Sequence, residues 1–580
     1  MTKMMKIADL RQSYVTGAKT PVDVVKEVFA RIRAEGERPV WISLANEQNA
    51  LTRASTMDLS LPLGGVPFAV KDNLDVADMV TTAGCPSFAY KPERTAPVVQ
   101  RLVDAGAILI GKTNMDQFAT GLVGVRSPYG SCSSIFDSRY ISGGSSSGSA
   151  VAVAKGLCAF SLGTDTAGSG RVPAAFNNLI GFKPTRGLLS ATGVVPACRS
   201  LDCVSILATT AADAETVWQI ARGFDATDPY SRAFSPGAGA APWLAGRFRF
   251  GVPQDSQLNF FGDAETPLLY RKAVEKLEQL GGMRRVIDFT VFREAAELLY
   301  SGPWVAERFA AVGEFLQRQS NGVNEVVAGI ILGATKYSAA DAYRSSYRLE
   351  ELKRRAEEQW SLMDVLLLPT TGTIYKRDAV ESDPIRLNSN LGFYTNFVNL
   401  MDLAAAAVPA GFRSDGLPFG VSLIGSAFSD SALLALSGRF LGEAQTQAAA
   451  IPGCVLLAVA GAHLSDQPLN HQLTERGARL VKSCRTAPDY RLFELKGQPA
   501  KPGLVFEPGF QGPGIEVEAW AVPENQFGSF VAEVPPPFAI GNVLLDDGER
   551  VKGFVCEPAG LSMAQEITRF GGWRAYLNRT

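Results

Sequence analysis

The sequence predicts an α/β domain followed by a smaller domain of short antiparallel strands. Helix-like and strand-like stretches alternate from residue 97 to 225, the pattern of a sheet covered by helices. Composition then changes after GEAQTQAAAIPG at 442–453. Beyond it, short segments such as VLLAVAGAHL, ARLVKSCRTA, YRLFEL, GIEVEAWAV and GNVLLDDGERVKGFVCE alternate apolar and polar residues between Gly and Pro. At 580 residues the chain is too long for one core. The expected domains are 1–448 and 449–580, with the boundary near 443–453.

Residues 20–35, TPVDVVKEVFARIRAE, predict a helix with Thr20 as N-cap and Pro21 in the first helical position. The apolar run Val66–Val70 predicts a buried strand that enters a loop at Lys71. PVVQRLVDAGAILIGKT at 97–113 reads as helix, turn at Gly106, then strand. Two loops dense in Gly, Ser and Thr follow, GGSSSGS at 143–149 and GTDTAGSGR at 163–171, around the apolar run AVAVAKGLCAFSL. Such small residues let a ligand approach the backbone N–H groups.

Residues 225–251 have loop or linker composition. TPLLYRKAVEKLEQLG at 266–281 predicts a helix stopped by Gly281. In LLYSGPWVAERFAA at 298–311, Pro303 is expected to open a helix, with Tyr300 just before it and Arg308 in its second turn. A strand is expected over 363–370 and a helix over 429–442. Asp116, in MDQFATG, reads as a cap, and Arg171 as a loop anchor paired with a carboxylate such as Asp165.

Composition removes several classes of function. Net charge is −2 and no basic run stands out, so nucleic acid is not an expected partner. The longest apolar stretches, such as Cys454–Ala462 and Val326–Ala334, are too short to span a bilayer. The start, MTKMMKIADLRQSY, shows no apolar signal region, which points to the cytoplasm. Eight Cys lack CxxC or ligand-like spacing, against a disulfide framework or structural zinc.

For the small-residue stretch, a P-loop fails because neither loop has Lys after its last Gly, and no GxGxxG occurs. Serine nucleophilic catalysis remains. The chain has only two His, His463 and His471, both far downstream. A Ser-His-Asp triad across domains stays open, but Lys is the better base for a Ser here, a variant used on unrelated folds.

Lys71 in GGVPFAVKDNLDV, GKTNMDQFATG, GGSSSG, GTDTAGSGR, KPTRG and the segment 394–425 together resemble the amidase signature family in order and spacing, over most of residues 20–440. The resemblance implies a mixed β-sheet covered by helices. It also implies Ser169 as nucleophile, Ser145 as bridging Ser behind a cis Gly144–Ser145 peptide, and a neutral Lys71 as base. Backbone N–H groups of Thr166, Ala167, Gly168 and Ser169 would form the oxyanion hole. The family usually has Gly at the position of Ala167. No metal or organic cofactor is called for.

TAGSGRVPA, GLVGVRSPYG at 121–130 and the Tyr300–Arg308 segment resemble the allophanate hydrolases within that family. This implies Tyr300 and Arg308 as receivers of a substrate carboxylate, with Gly124 against the substrate. Residues 454–580 resemble the allophanate hydrolase C-terminal domain, of γ-glutamylcyclotransferase-like fold, where His463 would assist decarboxylation of the first product and His471 would be structural. The implied function is hydrolysis of allophanate in urea or cyanurate nitrogen assimilation, by a homodimer linked to a biotin-dependent urea carboxylase. The alternatives are a general amidase, one component of an amidotransferase for charged tRNA, or an inactive binding protein of the same fold.

Overall fold

A computed structural model describes residues 4–36, 39–233, 248–318, 321–443, 454–496, 501–546, 548–562 and 564–579. These divide into two compact units, one ending at residue 443 and the other starting at 454. The expected boundary at 448/449, and residues 234–247 of the expected linker, lie outside the described residues.

Eleven described strands of the first unit form one mixed sheet. In chain order they are β1 (Trp41–Leu44), β2 (Pro67–Lys71), β3 (Ile108–Thr113), β4 (Phe160–Asp165), β5 (Ile180–Lys183) and β6 (Cys203–Ala208). Then come β7 (Phe248–Pro253), β8 (Gly282–Ile287), β9 (Val365–Pro369), β10 (Ala404–Phe412) and β11 (Pro418–Gly425). Their order across the sheet is β1-β3-β2-β4-β6-β5-β10-β11-β9-β7-β8. The α/β expectation holds. Every residue of β2, β4, β6 and β9 is buried, so apolar residues fill both faces of these strands rather than alternating with polar ones along one face.

β2 and β4 are parallel neighbours with Val70 opposite Leu162. Their carboxyl ends therefore bring Lys71 beside the turn that follows Asp165. The loops expected at 143–149 and 163–171 are shorter than their composition suggests. β4 continues through Asp165, and a fully buried helix starts at Ser147 and runs to Ala154. Small side chains permit that burial: a Cβ on Gly148 would collide with the Val40 carbonyl oxygen.

The helix Pro21–Ala34 is capped as expected, with Thr20 and Asp23 exchanging side chain-to-backbone hydrogen bonds. The helix Pro97–Asp104 turns at Gly106 into β3. Helix Thr266–Gln279 ends before Gly281, and Asp430–Leu441 ends at Gly442. The segment 298–311 differs from expectation. Tyr300 lies in the last turn of the helix Thr290–Ser301, and the next helix, Val305–Arg318, carries Arg308 in its first turn. Pro303 lacks an N–H and separates the two helices.

In the second unit, β12 (Cys454–Val459), β13 (Arg479–Arg485), β14 (Tyr490–Leu495), β15 (Lys501–Phe506) and β16 (Glu516–Pro523) precede β17 (Phe538–Leu544), β18 (Arg550–Cys556) and β19 (Gln565–Glu566). They form a five-stranded sheet, β13-β16-β12-β18-β17, and a three-stranded one, β15-β14-β19. Pairing is antiparallel as expected, except that β12 and β18 run parallel. Neither β15, whose Pro502 and Gly503 break the alternation, nor the helix Glu524–Ala532 follows from the sequence pattern.

Candidate active site

Lys71 stands at the end of β2, fully buried. Its Nζ lies 2.7 Å from Ser145 Oγ and 2.7 Å from Thr164 Oγ1. Burial pushes the Lys71 ammonium down to about 7, with Asp116, Asp202 and Asp165 pulling it up and Arg308 adding to the depression. A buried amine with that affinity for protons is available as a base near neutrality.

Ser145 follows a cis Gly144–Ser145 peptide. The loop before it closes on Asp116, whose backbone N–H donates to the Ser145 carbonyl at 3.1 Å. The Asp116 carboxylate accepts from the N–H groups of Val123, Gly124 and Arg126 at 3.2, 2.9 and 2.9 Å. It is a loop cap, as its setting in MDQFATG suggests. Gly124 has φ +75°, and a Cβ there would lie 2.5 Å from the Gly143 carbonyl oxygen. Its lack of a side chain thus lets two site loops touch.

Ser169 occupies the turn between β4 and the helix Arg171–Phe176 and is 3% exposed. Among the described residues, its hydroxyl donates only to the Gly121 carbonyl, at 3.5 Å. The turn is clamped by a buried ion pair. Arg171 Nε and Nη2 each lie 2.9 Å from the Asp165 carboxylate, the anchoring expected from the sequence. Burial would raise the Asp165 carboxyl, but the Arg171 charge and hydrogen bonds outweigh it and hold it low.

The same carboxylate corrects one expectation. Gly168, expected among the oxyanion donors, gives its N–H to Asp165 Oδ1 at 2.9 Å. The N–H groups of Thr166, Ala167 and Ser169 make no hydrogen bond among the described residues. Positive φ falls on Gly168, at +125°, and not on Ala167, so the methyl at 167 is accommodated without strain. The Ala167 carbonyl accepts from Thr395 Oγ1 at 2.6 Å. The Thr166 hydroxyl donates to Asp202 Oδ1, a fully buried carboxylate that also accepts from Cys198 N at 3.1 Å.

Arg308 is 2% exposed. Its Nη1 donates to Thr120 Oγ1 at 3.0 Å and to the Ala119 carbonyl at 3.3 Å, while Nη2 is buried without a partner. Among the described residues no carboxylate pairs with it. Its Cζ lies 5.8 Å from the centre of the Tyr300 ring. Tyr300 and Arg308 are therefore together, and beside the loop that meets Ser169.

In the second unit, His463 lines a cavity of about 180 Å³ just beyond β12. Its Nε2 lies 2.8 Å from Gln472 Oε1, and its ring stacks on Phe554 at 4.9 Å. Burial lowers its proton affinity, with Lys501 and His471 acting the same way against the Gln472 bond. His471 is exposed and bonds only locally, through Nδ1 to the Pro468 carbonyl at 2.9 Å.

The amidase family model matches residues 23–434, and the model of the allophanate hydrolase C-terminal domain matches 455–578. The chain belongs to the amidase family. The urea amidolyase of Lachancea kluyveri is 42% identical over 604 residues, covering 97% of this chain and 33% of that protein. The chain thus spans about a third of the length of that curated relative. A glutamyl-tRNA(Gln) amidotransferase component from Prochlorococcus marinus is 32% identical, covering 75% of this chain and 96% of its own. The structure of Kluyveromyces lactis allophanate hydrolase is similar at 42% identity and a TM-score of 0.79, covering 99% of both chains.

Within this amidase-family site, the sequence reading missed Thr164, Asp202 and Thr120. Each is an ordinary polar residue in the sequence, and its importance comes from the partner it meets. Thr164 and Thr120 left a signal, since they lie inside the quoted motifs GTDTAGSGR and MDQFATG, whereas Asp202 left none.

Proposed function

We infer that the chain is an allophanate hydrolase that uses Lys71, Ser145 and Ser169 as its catalytic relay. The observation that carries the reading is the buried guanidinium of Arg308 beside the Ala119–Gly121 loop, which among the described residues pairs with no carboxylate and has no hydrogen-bond partner at Nη2. A buried cation without a counter-ion suits a substrate that brings its own negative charge. Allophanate, urea bearing an N-carboxylate, has that charge one nitrogen away from the amide carbonyl.

Neutral Lys71 takes the Ser145 proton, and Ser145 takes that of Ser169 as the Ser169 hydroxyl turns from Gly121. Ser169 Oγ bonds to the terminal amide carbon, the C–N bond breaks, and the amine leaves as ammonia with the relayed proton. The N–H groups of Thr166, Ala167 and Ser169 receive the oxyanion. Water then releases Ser169 and N-carboxycarbamate. Uptake of one proton at nitrogen converts that product to CO2 and carbamate, a step assigned to the second unit with His463.

The substrate's source would be a biotin-dependent urea carboxylase, a reading supported by the greater length of the relatives named urea amidolyase. The same reading includes a cytoplasmic homodimer. Among the described residues no helix is long and apolar enough to cross a membrane.

Ammonia release from allophanate, malonamate and a neutral primary amide, for wild type and Arg308→Ala, tests the assignment. Wild type should favour the two carboxylates, and the substitution should remove that preference at a cost of roughly 2–5 kcal/mol. Preference for the neutral amide, unchanged by Arg308→Ala, would make the chain a general amidase.

A further inference from the structure

The cavity of the second unit holds a cation that neither the first unit's chemistry nor the fold of the second unit uses. Two segments create it. Gly461 lies so close to Pro502 that a Cβ would collide with the proline ring. That approach brings His463, two residues after Gly461, and Lys501, the first residue of β15, to the same cavity. Phe530, Phe538 and Phe554 supply apolar wall.

The charges around this cavity do not balance. Glu533 and Lys501 are the charged side chains that line it. Glu533 is already paired with Arg476. Lys501 makes no ion pair or side-chain hydrogen bond among the described residues, and its Nζ stands 5.9 Å from the Phe538 ring centre. His463 is committed through Nε2 to the Gln472 oxygen, so that nitrogen carries the proton and Nδ1 keeps its lone pair. A half-buried ammonium, a neutral imidazole and aromatic walls in one small cavity make a receptor for a compact anion.

We propose that Lys501 is the residue that anchors a carboxylate of the second unit's ligand in this cavity, that ligand being the N-carboxycarbamate of the reading above. This rests on the reading that the second unit acts on that product. Lys501 holds one carboxylate as a point charge, while the rest of the ligand lies along His463.

The two histidines of the chain, His463 and His471, both fall in the second unit, so ring-labelled histidine in the full chain reports on this cavity directly. Malonate is the probe, since it places CH2 where the product has NH. Titration should move the His463 ring resonances saturably and leave His471 nearly still. Arg308→Ala should titrate like wild type, because the reporter lies outside the first unit's carboxylate receiver. Lys501→Gln should weaken the His463 response roughly tenfold or more, as loss of a charge-assisted hydrogen bond requires, and Lys501→Arg should retain it.

A wild-type His463 that malonate does not move overturns the proposal, as does a Lys501→Gln chain that titrates like wild type with both histidine signals in their native positions. The underlying reading is scored separately by CO2 release from allophanate in His463→Asn. Undiminished release there removes the decarboxylating role without touching the malonate result.

Discussion

Arg308 and Ser169 grip adjacent residues of one loop. The guanidinium bonds the Ala119 carbonyl and Thr120 Oγ1, and the Ser169 hydroxyl bonds the Gly121 carbonyl. The proposed carboxylate receiver and the proposed nucleophile thus both bond the run Ala119–Gly121. Arg308→Lys keeps a charge but loses the planar fork. Turnover of allophanate by Arg308→Lys is expected to fall between wild type and Arg308→Ala, with most of the loss in KM. Steady-state kinetics on the three proteins checks this.

The base should announce itself in the pH profile. In the proposed relay Lys71 acts as a neutral amine, and burial lowers its pKa to about 7. Its protonated form dominates below that value, so kcat/KM for acylation is expected to fall about tenfold per pH unit on the acid side. The limb should level above pH 7 and should be absent from Lys71→Ala. A flat profile from pH 5 to 7 would contradict the assignment.

Thr164 meets Lys71 at the same 2.7 Å as Ser145 does, and also accepts from Asn73 Nδ2 at 3.3 Å. With one amine hydrogen on Thr164, the lone pair of neutral Lys71 is left for the Ser145 hydroxyl. Thr164→Val keeps the shape and removes the acceptor. The expected loss is about 1.5–3 kcal/mol in kcat/KM, with Thr164→Ser restoring most of it. The acid limb in Thr164→Val should shift as well, which a purely structural defect would not produce.

The Asp165–Arg171 pair holds the turn that carries Ser169, the proposed nucleophile. Both side chains are fully buried, and Arg171 also reaches the Thr395 carbonyl at 3.2 Å. Arg171→Met leaves a buried carboxylate unpaired, so a stability loss of about 3–5 kcal/mol is expected in denaturant unfolding. Exchanging both partners for apolar residues should cost less than Arg171→Met alone, because no charge is stranded.

Some of this site was legible in the residue order. A Lys base could be expected because the chain has two histidines, both far from its serine loops, whereas the choice of Lys71 rests on the resemblance to the amidase signature family. Arg171 could be placed because a carboxylate lies six residues away on the same turn. Tyr300 and Arg308 come within 5.8 Å of each other, but their helices were not foreseen, since Pro303 separates two helices rather than starting one just after Tyr300. In the second unit β12 and β13 were visible as alternation, whereas β15 was hidden by its Pro and Gly.

The sequence by itself determined the fold class and the two-part organisation, because these follow from local patterning, and its motifs, through their resemblance to the amidase signature family, supplied the candidate site residues. Tertiary structure decided the rest. That Thr164 shares the Lys71 amine, and that Arg308 meets Thr120 but, among the described residues, no carboxylate, depend on strands and helices distant in the chain. Hydrogen bonds and ion pairs act over a few ångströms and in set directions, so their partners are fixed only when the sheet brings those segments together.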